Sequence, residues 1–356
     1  MSNKFWVVII LLLVTVLLYQ CKLGKQGILI TSEPYGNLSE YNFFKGSLSD
    51  LNPTLGVLPY DLNSSLFSDY AHKARFVWMP EGTSAQYTSD HVLDFPKGTV
   101  LIKNFFYHND ETDLSKGKRI IETRLLVNEG EHWNAHGYIW NDSQTEAILE
   151  IIGDIKEVEW VNEKGEKKKV DYIIPNKNQC KGCHAYKEKQ LPIGPKVRNL
   201  NKEYLYSDGS MNQLKKWAEI GYLTGWAEGL TELGVAVWDD NSYKTHDRAL
   251  AYLDIKCGHG HNPDGAANTS GLTLLATSEL NIALGIYKAT VSAGAGTGDL
   301  QYSIVPGHPE ESIMVFRMKT DNPGAMMPEI GRRLLHHEGV ALIEDWIREM
   351  DIDYPR

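Results

Sequence analysis

Between residues 55 and 175, apolar positions fall in short runs of β-branched and aromatic side chains rather than at helical spacing. The runs are 73–78, 99–107, 119–127 and 168–174, and each suits a strand on a pleated, half-buried surface. Turn chemistry separates them at Pro80-Glu81-Gly82, Pro96-Lys97-Gly98 and Asn128-Glu129-Gly130. Short strands at this spacing predict a sandwich or jelly-roll-like antiparallel β domain. The charged stretch 163–169 contains Gly165 and lies between two strand-like runs, so it reads as a solvated hairpin tip.

After Pro175 the spacing becomes helical. Ser210-Met211-Asn212-Gln213 has the form of a capping box, with Leu214, Trp217 and Ile220 behind it and Gly221 as a stop. A helix over 247–256 would put Leu250, Leu253 and Cys257 on one face. A last helix over 338–350 would bury Ile343, Trp346, Ile347 and Met350.

The N-terminus alters the compartment. Lys4 precedes an apolar run over 5–19 broken only by Thr15, and Cys21 follows Gln20. The run is shorter than the roughly 20 residues needed to span a bilayer and suits a signal-peptide core. It resembles a bacterial lipoprotein signal over 1–21, with Gln20 where a small residue usually stands. Export to the periplasm or cell envelope is expected, with Cys21 as the lipid attachment that anchors the chain to a membrane. Residues 22–54, with Gly24 and Gly27, read as tether and loop.

The formal net charge of −10 argues against nucleic acid as a partner and is compatible with docking basic redox proteins. The cysteines are Cys21, Cys180, Cys183 and Cys257. With Cys21 lipidated, no pair is set aside for a structural disulfide.

Cys180-Lys181-Gly182-Cys183-His184 has the spacing by which two thiols add to the haem vinyl groups while the histidine ligates iron. A redox pair of Cys180 and Cys183 would need a βαβ context, which the surrounding pattern lacks. A reduced copy follows at Cys257-Gly258-His259-Gly260-His261. Gly260 stands where the second cysteine would be, so Cys257 can form one thioether and His261 can ligate iron. His259 is a competing ligand there. The two glycines cost about 1 kcal/mol each if the segment is helical. Met327, before Pro328 and ahead of the last helix, is placed as the sixth ligand of a class I cytochrome c domain, with Met326 as fallback. The sixth ligand of the first haem is open among Met211, His72 and His246. Asp69, His72, His132 and His136 are a candidate metal cluster in the β domain, although isolated histidines of this kind are commonly structural.

These residues resemble one family. The segment 175–184, the stretch Pro192-Ile193-Gly194-Pro195-Lys196-Val197-Arg198-Asn199-Leu200-Asn201 and the stretch Asn262-Pro263-Asp264-Gly265-Ala266-Ala267-Asn268 are similar to the exported dihaem c-type cytochromes. So are 58–63, 66–70, Trp140-Asn141 and Gln144-Thr145-Glu146-Ala147. The resemblance spans most of 55–350. It implies two haem c groups: one on Cys180, Cys183 and His184, the other on Cys257 and His261, with Gly260 departing from the pattern. The expected fold is multi-domain α+β, an N-terminal antiparallel β domain followed by mostly α-helical cytochrome c-type domains. Its parts are a β-rich domain over 55–175, a first haem-binding segment over 176–244 and a class I cytochrome c-like domain over 245–356. The expected function is electron transfer to redox partner proteins. The alternatives are a dihaem peroxidase-like enzyme, or a haem-free protein with zinc on Cys180, Cys183, Cys257 and His261.

Overall fold

The computed structural model describes residues 27–352 except 90, 188, 228–233, 292 and 293. The signal segment and Cys21 lie outside the described residues. Among these, no helix is long and apolar enough to cross a membrane.

Among the described residues, the first half of the chain forms nine strands: β1 Val57–Tyr60, β2 His72–Trp78, β3 Ala85–Gln86, β4 Val100–His108, β5 Lys118–Asn128, β6 Trp133–Trp140, β7 Ala147–Glu150, β8 Asp154–Val161 and β9 Lys167–Ile174. One antiparallel sheet runs in the order β1-β2-β4-β5-β6-β7, and β8 and β9 form a separate two-stranded ribbon. The charged stretch 163–169 is the tip of that ribbon and its flanks, with Gly165 at positive φ in the turn.

Both faces of the large sheet are covered, which is why its strands read as nearly continuous apolar runs. Alternate residues divide between two cores. Phe76, Val100 and Ile102 join Leu38, Tyr41 and Phe43 from the segment before β1. Val77 and Leu101 face the other way, onto Val197, Leu200, Leu214, Trp217 and Ile255. The second half of the chain therefore packs directly on the sheet, and the partner that covers this face is not a second sheet, as a sandwich would require.

The expectation of mostly helical domains after residue 175 is overturned. The helices there are α1 Lys177–His184, α2 Val197–Leu200, α3 Gln213–Glu219, α4 Thr245–Leu253, α5 Ile313–Lys319 and α6 His337–Arg348, and the longest has 12 residues. Short antiparallel ribbons pair 185–186 with 189–190 and 203–206 with 209–212. Most of 259–312 is turn and loop. Glycine is the reason. Gly271, Gly285, Gly298 and Gly307 all hold positive φ, a region a right-handed helix never uses. The capping box expected at Ser210 is also displaced: Ser210 is in a strand, and the Asn212 side chain caps α3 by accepting from the Leu214 and Lys215 amides.

The C-terminal part has its own core, in which Leu250 and Leu253 of α4 meet Leu342, Ile343, Trp346 and Ile347 of α6. A buried ion cluster ties it to the sheet side: Arg198 Nη2 lies 2.8 Å and Lys196 Nζ 3.5 Å from Asp254 Oδ1. Asp69, beside β2, accepts from the Arg333 and Leu334 amides at 2.7 Å each.

Candidate functional site

Helix α1 sets out the first site. A reciprocal cap starts it: the Asn176 side chain accepts from the Gln179 amide, and the Gln179 side chain accepts from the Asn176 amide, both at 2.9 Å. Spacings of three and four then align Cys180, Cys183 and His184 on one face, and all three line one cavity of about 190 Å³. His184 Nδ1–H donates to the Leu191 carbonyl at 2.7 Å, and the Leu191 amide returns a bond to the His184 carbonyl at 2.9 Å. With Nδ1 engaged, Nε2 carries the free lone pair, the arrangement that orients a metal-ligating imidazole. Burial lowers the His184 pKa to about 4, so the ring is neutral and able to ligate near pH 7. Burial also raises both thiols, against the pull of Arg124. Redox-active cysteine pairs have pKa values lowered in the opposite direction.

The second motif follows α4. Its first part is a π-helical turn, Asp254–Gly258, a distortion common where a side chain must be re-aimed. The His261 amide donates to the Cys257 carbonyl at 2.8 Å, so Cys257 and His261 keep the four-residue relation that relates Cys180 to His184. Both line a cavity of about 360 Å³ that also receives Met327. His261 Nδ1–H donates to Ser270 Oγ at 2.9 Å, and Ser270 donates in turn to the Ala267 carbonyl at 2.7 Å, which again leaves Nε2 free. The Met327 loop is pinned by its amide on the Arg317 carbonyl at 2.9 Å and by Arg317 Nε on the Ala325 carbonyl at 2.8 Å. Met326 does not line the cavity.

The two sites are fastened together. Tyr186, two residues after His184, donates to Asp264 Oδ2 at 2.9 Å, and the Lys187 amide donates to the Asp264 carbonyl at 2.7 Å. Phe67, Lys256 and Pro328 line both cavities and form the wall between them. The Phe67 ring is stacked on His336 with centroids 4.1 Å apart, and Lys256 Nζ lies 4.7 Å from its centre.

The sheet supplies the electrostatics of the first cavity. Arg75 on β2 is opposite Lys103 on β4, and Lys103 is opposite Arg124 on β5. Three cations in a row across adjacent strands repel one another, yet all three line the cavity. Arg75 is paired with Asp61 at 2.7 Å, and Arg124 Nε with Glu122 at 2.7 Å. Lys103 makes no ion pair among the described residues, and its Nζ sits 4.7 Å from the Phe105 ring centre. Burial, with Arg75, Lys73 and Arg124 nearby, pushes its pKa well below the usual lysine value. Lys256, 4% exposed, is depressed in the same direction, chiefly by burial. Strand pairing brings these groups together, and no local motif announces the row.

Other candidates lie elsewhere. Met211 is in the 203–212 ribbon. His246 accepts from Trp346 Nε1 at 3.1 Å, and neither residue reaches the first cavity. The four β-domain candidates are dispersed: Asp69 is used on the 333–334 amides, His132 pairs with Glu129 at 2.9 Å, and His136 is on β6. His72 instead meets Glu111 at 2.7 Å and His108. The zinc set is also split, because Cys180 and Cys183 open on one cavity and Cys257 and His261 on another. Comparison with protein-family models, curated proteins and solved structures returned no match.

Proposed function

We propose that this chain is an exported, lipid-anchored electron-transfer protein carrying haem c in each of the two cavities. One observation carries the reading. Two Cys–His constellations each leave an imidazole Nε2 free beside a cavity, and the cavities share the Phe67, Lys256 and Pro328 wall. At the first site Cys180 and Cys183 would hold the porphyrin by thioethers and His184 its iron. At the second, Cys257 would give one thioether, with His261 and Met327 as the ligands. When bound, haem supplies a one-electron iron couple.

The residues around the cavities fit such an occupant. Leu62, Leu66, Leu101, Leu125 and Ile193 exclude water at the first, and Leu253, Leu272, Leu274, Ile313 and Met314 do so at the second. The Arg75, Lys103, Arg124 row would face a porphyrin's carboxylates in this low-dielectric site, with Lys103 the member that no carboxylate already pairs among the described residues. Met327 offers a thioether, which would favour reduced iron and fill a position that a peroxidase keeps open.

A pyridine haemochrome spectrum with haem counted per chain, on protein matured in a host competent for c-type cytochromes, tests the reading. Two haems per chain are expected, one with the shifted band of single attachment. Absence of haem overturns it. Lys103→Met gives a second test with opposite signs in the two forms. Without haem, replacing the half-buried, unpaired Lys103 amine should stabilise the chain by on the order of 1 kcal/mol, read as a higher Tm. With haem, the same change should slow incorporation at the first site and lower its occupancy.

A further inference from the structure

We infer that His259, from within the second motif, is the second axial ligand of the haem held by Cys180, Cys183 and His184. This rests on the haem reading and deepens it, since it completes the coordination of a site whose sixth ligand no sequence pattern indicates.

The segment 257–261 sends its two histidines to different places. His261 lines the cavity shared with Cys257 and Met327, and His259 does not. His259 instead lines the cavity of Cys180, Cys183 and His184. It also lines an adjoining cavity of about 490 Å³ that reaches Phe95, Trp133 and Tyr186. Five residues are common to these two cavities: Cys183, His184, Pro192, Ile193 and His259. The two spaces thus meet at the pair of imidazoles, and together they form a slot with one histidine from α1 and one from the turn after α4.

The state of the His259 ring suits a ligand. Its Nδ1 is sealed from solvent on the side of the Ile255 carbonyl, which leaves Nε2 as the nitrogen that can ligate. Backbone contacts hold it in place: the Asn262 amide group donates to the Gly258 carbonyl at 2.7 Å and to the His259 carbonyl at 3.1 Å. Each haem would then draw a ligand from one five-residue segment, which joins the two sites mechanically.

Ligand-field spectroscopy on the haem-loaded full chain decides it. Ferric wild type should show a low-spin bis-imidazole signal by electron paramagnetic resonance, besides the thioether–imidazole signal of the Met327 site. In His259→Ala the bis-imidazole signal should be lost and replaced by a high-spin one. Haem per chain should be unchanged, and added imidazole should restore low spin. His259→Met should remain low-spin but convert that signal to the thioether–imidazole type, which keeps the test open should the alanine variant fold poorly. A His259→Ala chain that retains both haems and an unaltered bis-imidazole signal overturns the inference while leaving the haem reading standing. A wild type that incorporates no haem overturns both.

Discussion

Cys180→Ala combined with Cys183→Ala is expected to leave one covalently bound haem per chain instead of two. The thiols are half-buried and free, and burial raises their pKa, so their removal costs the fold little, on the order of 1 kcal/mol. The attachment, by contrast, is all or none. Without either sulfur, a first haem would be held by His184 and the proposed opposite ligand alone, and it should leave under denaturing conditions. Haem-stained denaturing gels and a haemochrome count read this directly. The remaining haem should show the single-thioether band undiluted. Retention of two covalent haems would mean that the thioethers are formed elsewhere.

Gly258 and Gly260 should respond in opposite ways. A side chain at Gly258 would place its Cβ 2.5 Å from the Leu274 carbonyl oxygen, which the backbone must yield to accommodate. Gly258→Ala is therefore expected to destabilise by about 1–3 kcal/mol and to disturb the π-helical turn that aims Cys257. At Gly260 the nearest atoms to an added Cβ are the Cys257 carbonyl oxygen at 3.8 Å and Ala267 Cβ at 4.0 Å, ordinary contact distances. Gly260→Cys should fold as wild type and complete a Cys-x-x-Cys-His with Cys257 and His261. The haemochrome band of the second haem should then move to the position of a doubly attached one, and that haem should resist extraction when Cys257 is replaced. A well-folded variant whose band does not move would show that position 260 does not face a porphyrin edge. The sequence alone charges both glycines the same helical penalty. Only the packing around each separates an obligatory glycine from a replaceable one.

Tertiary structure separates the zinc set, since Cys180 and Cys183 open on one cavity and Cys257 and His261 on another. The expected helical half fails on local grounds that composition obscured. Apolar spacing identified the stretches around α3, α4 and α6, but it says nothing of the glycine-rich chain between α4 and α6. There Gly271, Gly285 and Gly298 hold positive φ and turns replace helices.

What the sequence determined by itself is what neighbours in the chain determine. The runs at 73–78, 99–107, 119–127 and 168–174 coincide with β2, β4, β5 and β9 to within a residue, because pleat and side-chain branching are local. The three- and four-residue spacings that align Cys180 with Cys183 and His184, and Cys257 with His261, are equally local. Tertiary structure decided the rest. Strand register, set by packing on both sheet faces, lined up Arg75, Lys103 and Arg124, residues roughly twenty to thirty apart in the chain. Packing of α4 and its π turn against Ile255's neighbours on the sheet sent His259 and His261 into different cavities. A five-residue motif states which atoms can ligate. Which space each atom enters depends on what lies across from it, and that is set by burial of surfaces far apart in sequence.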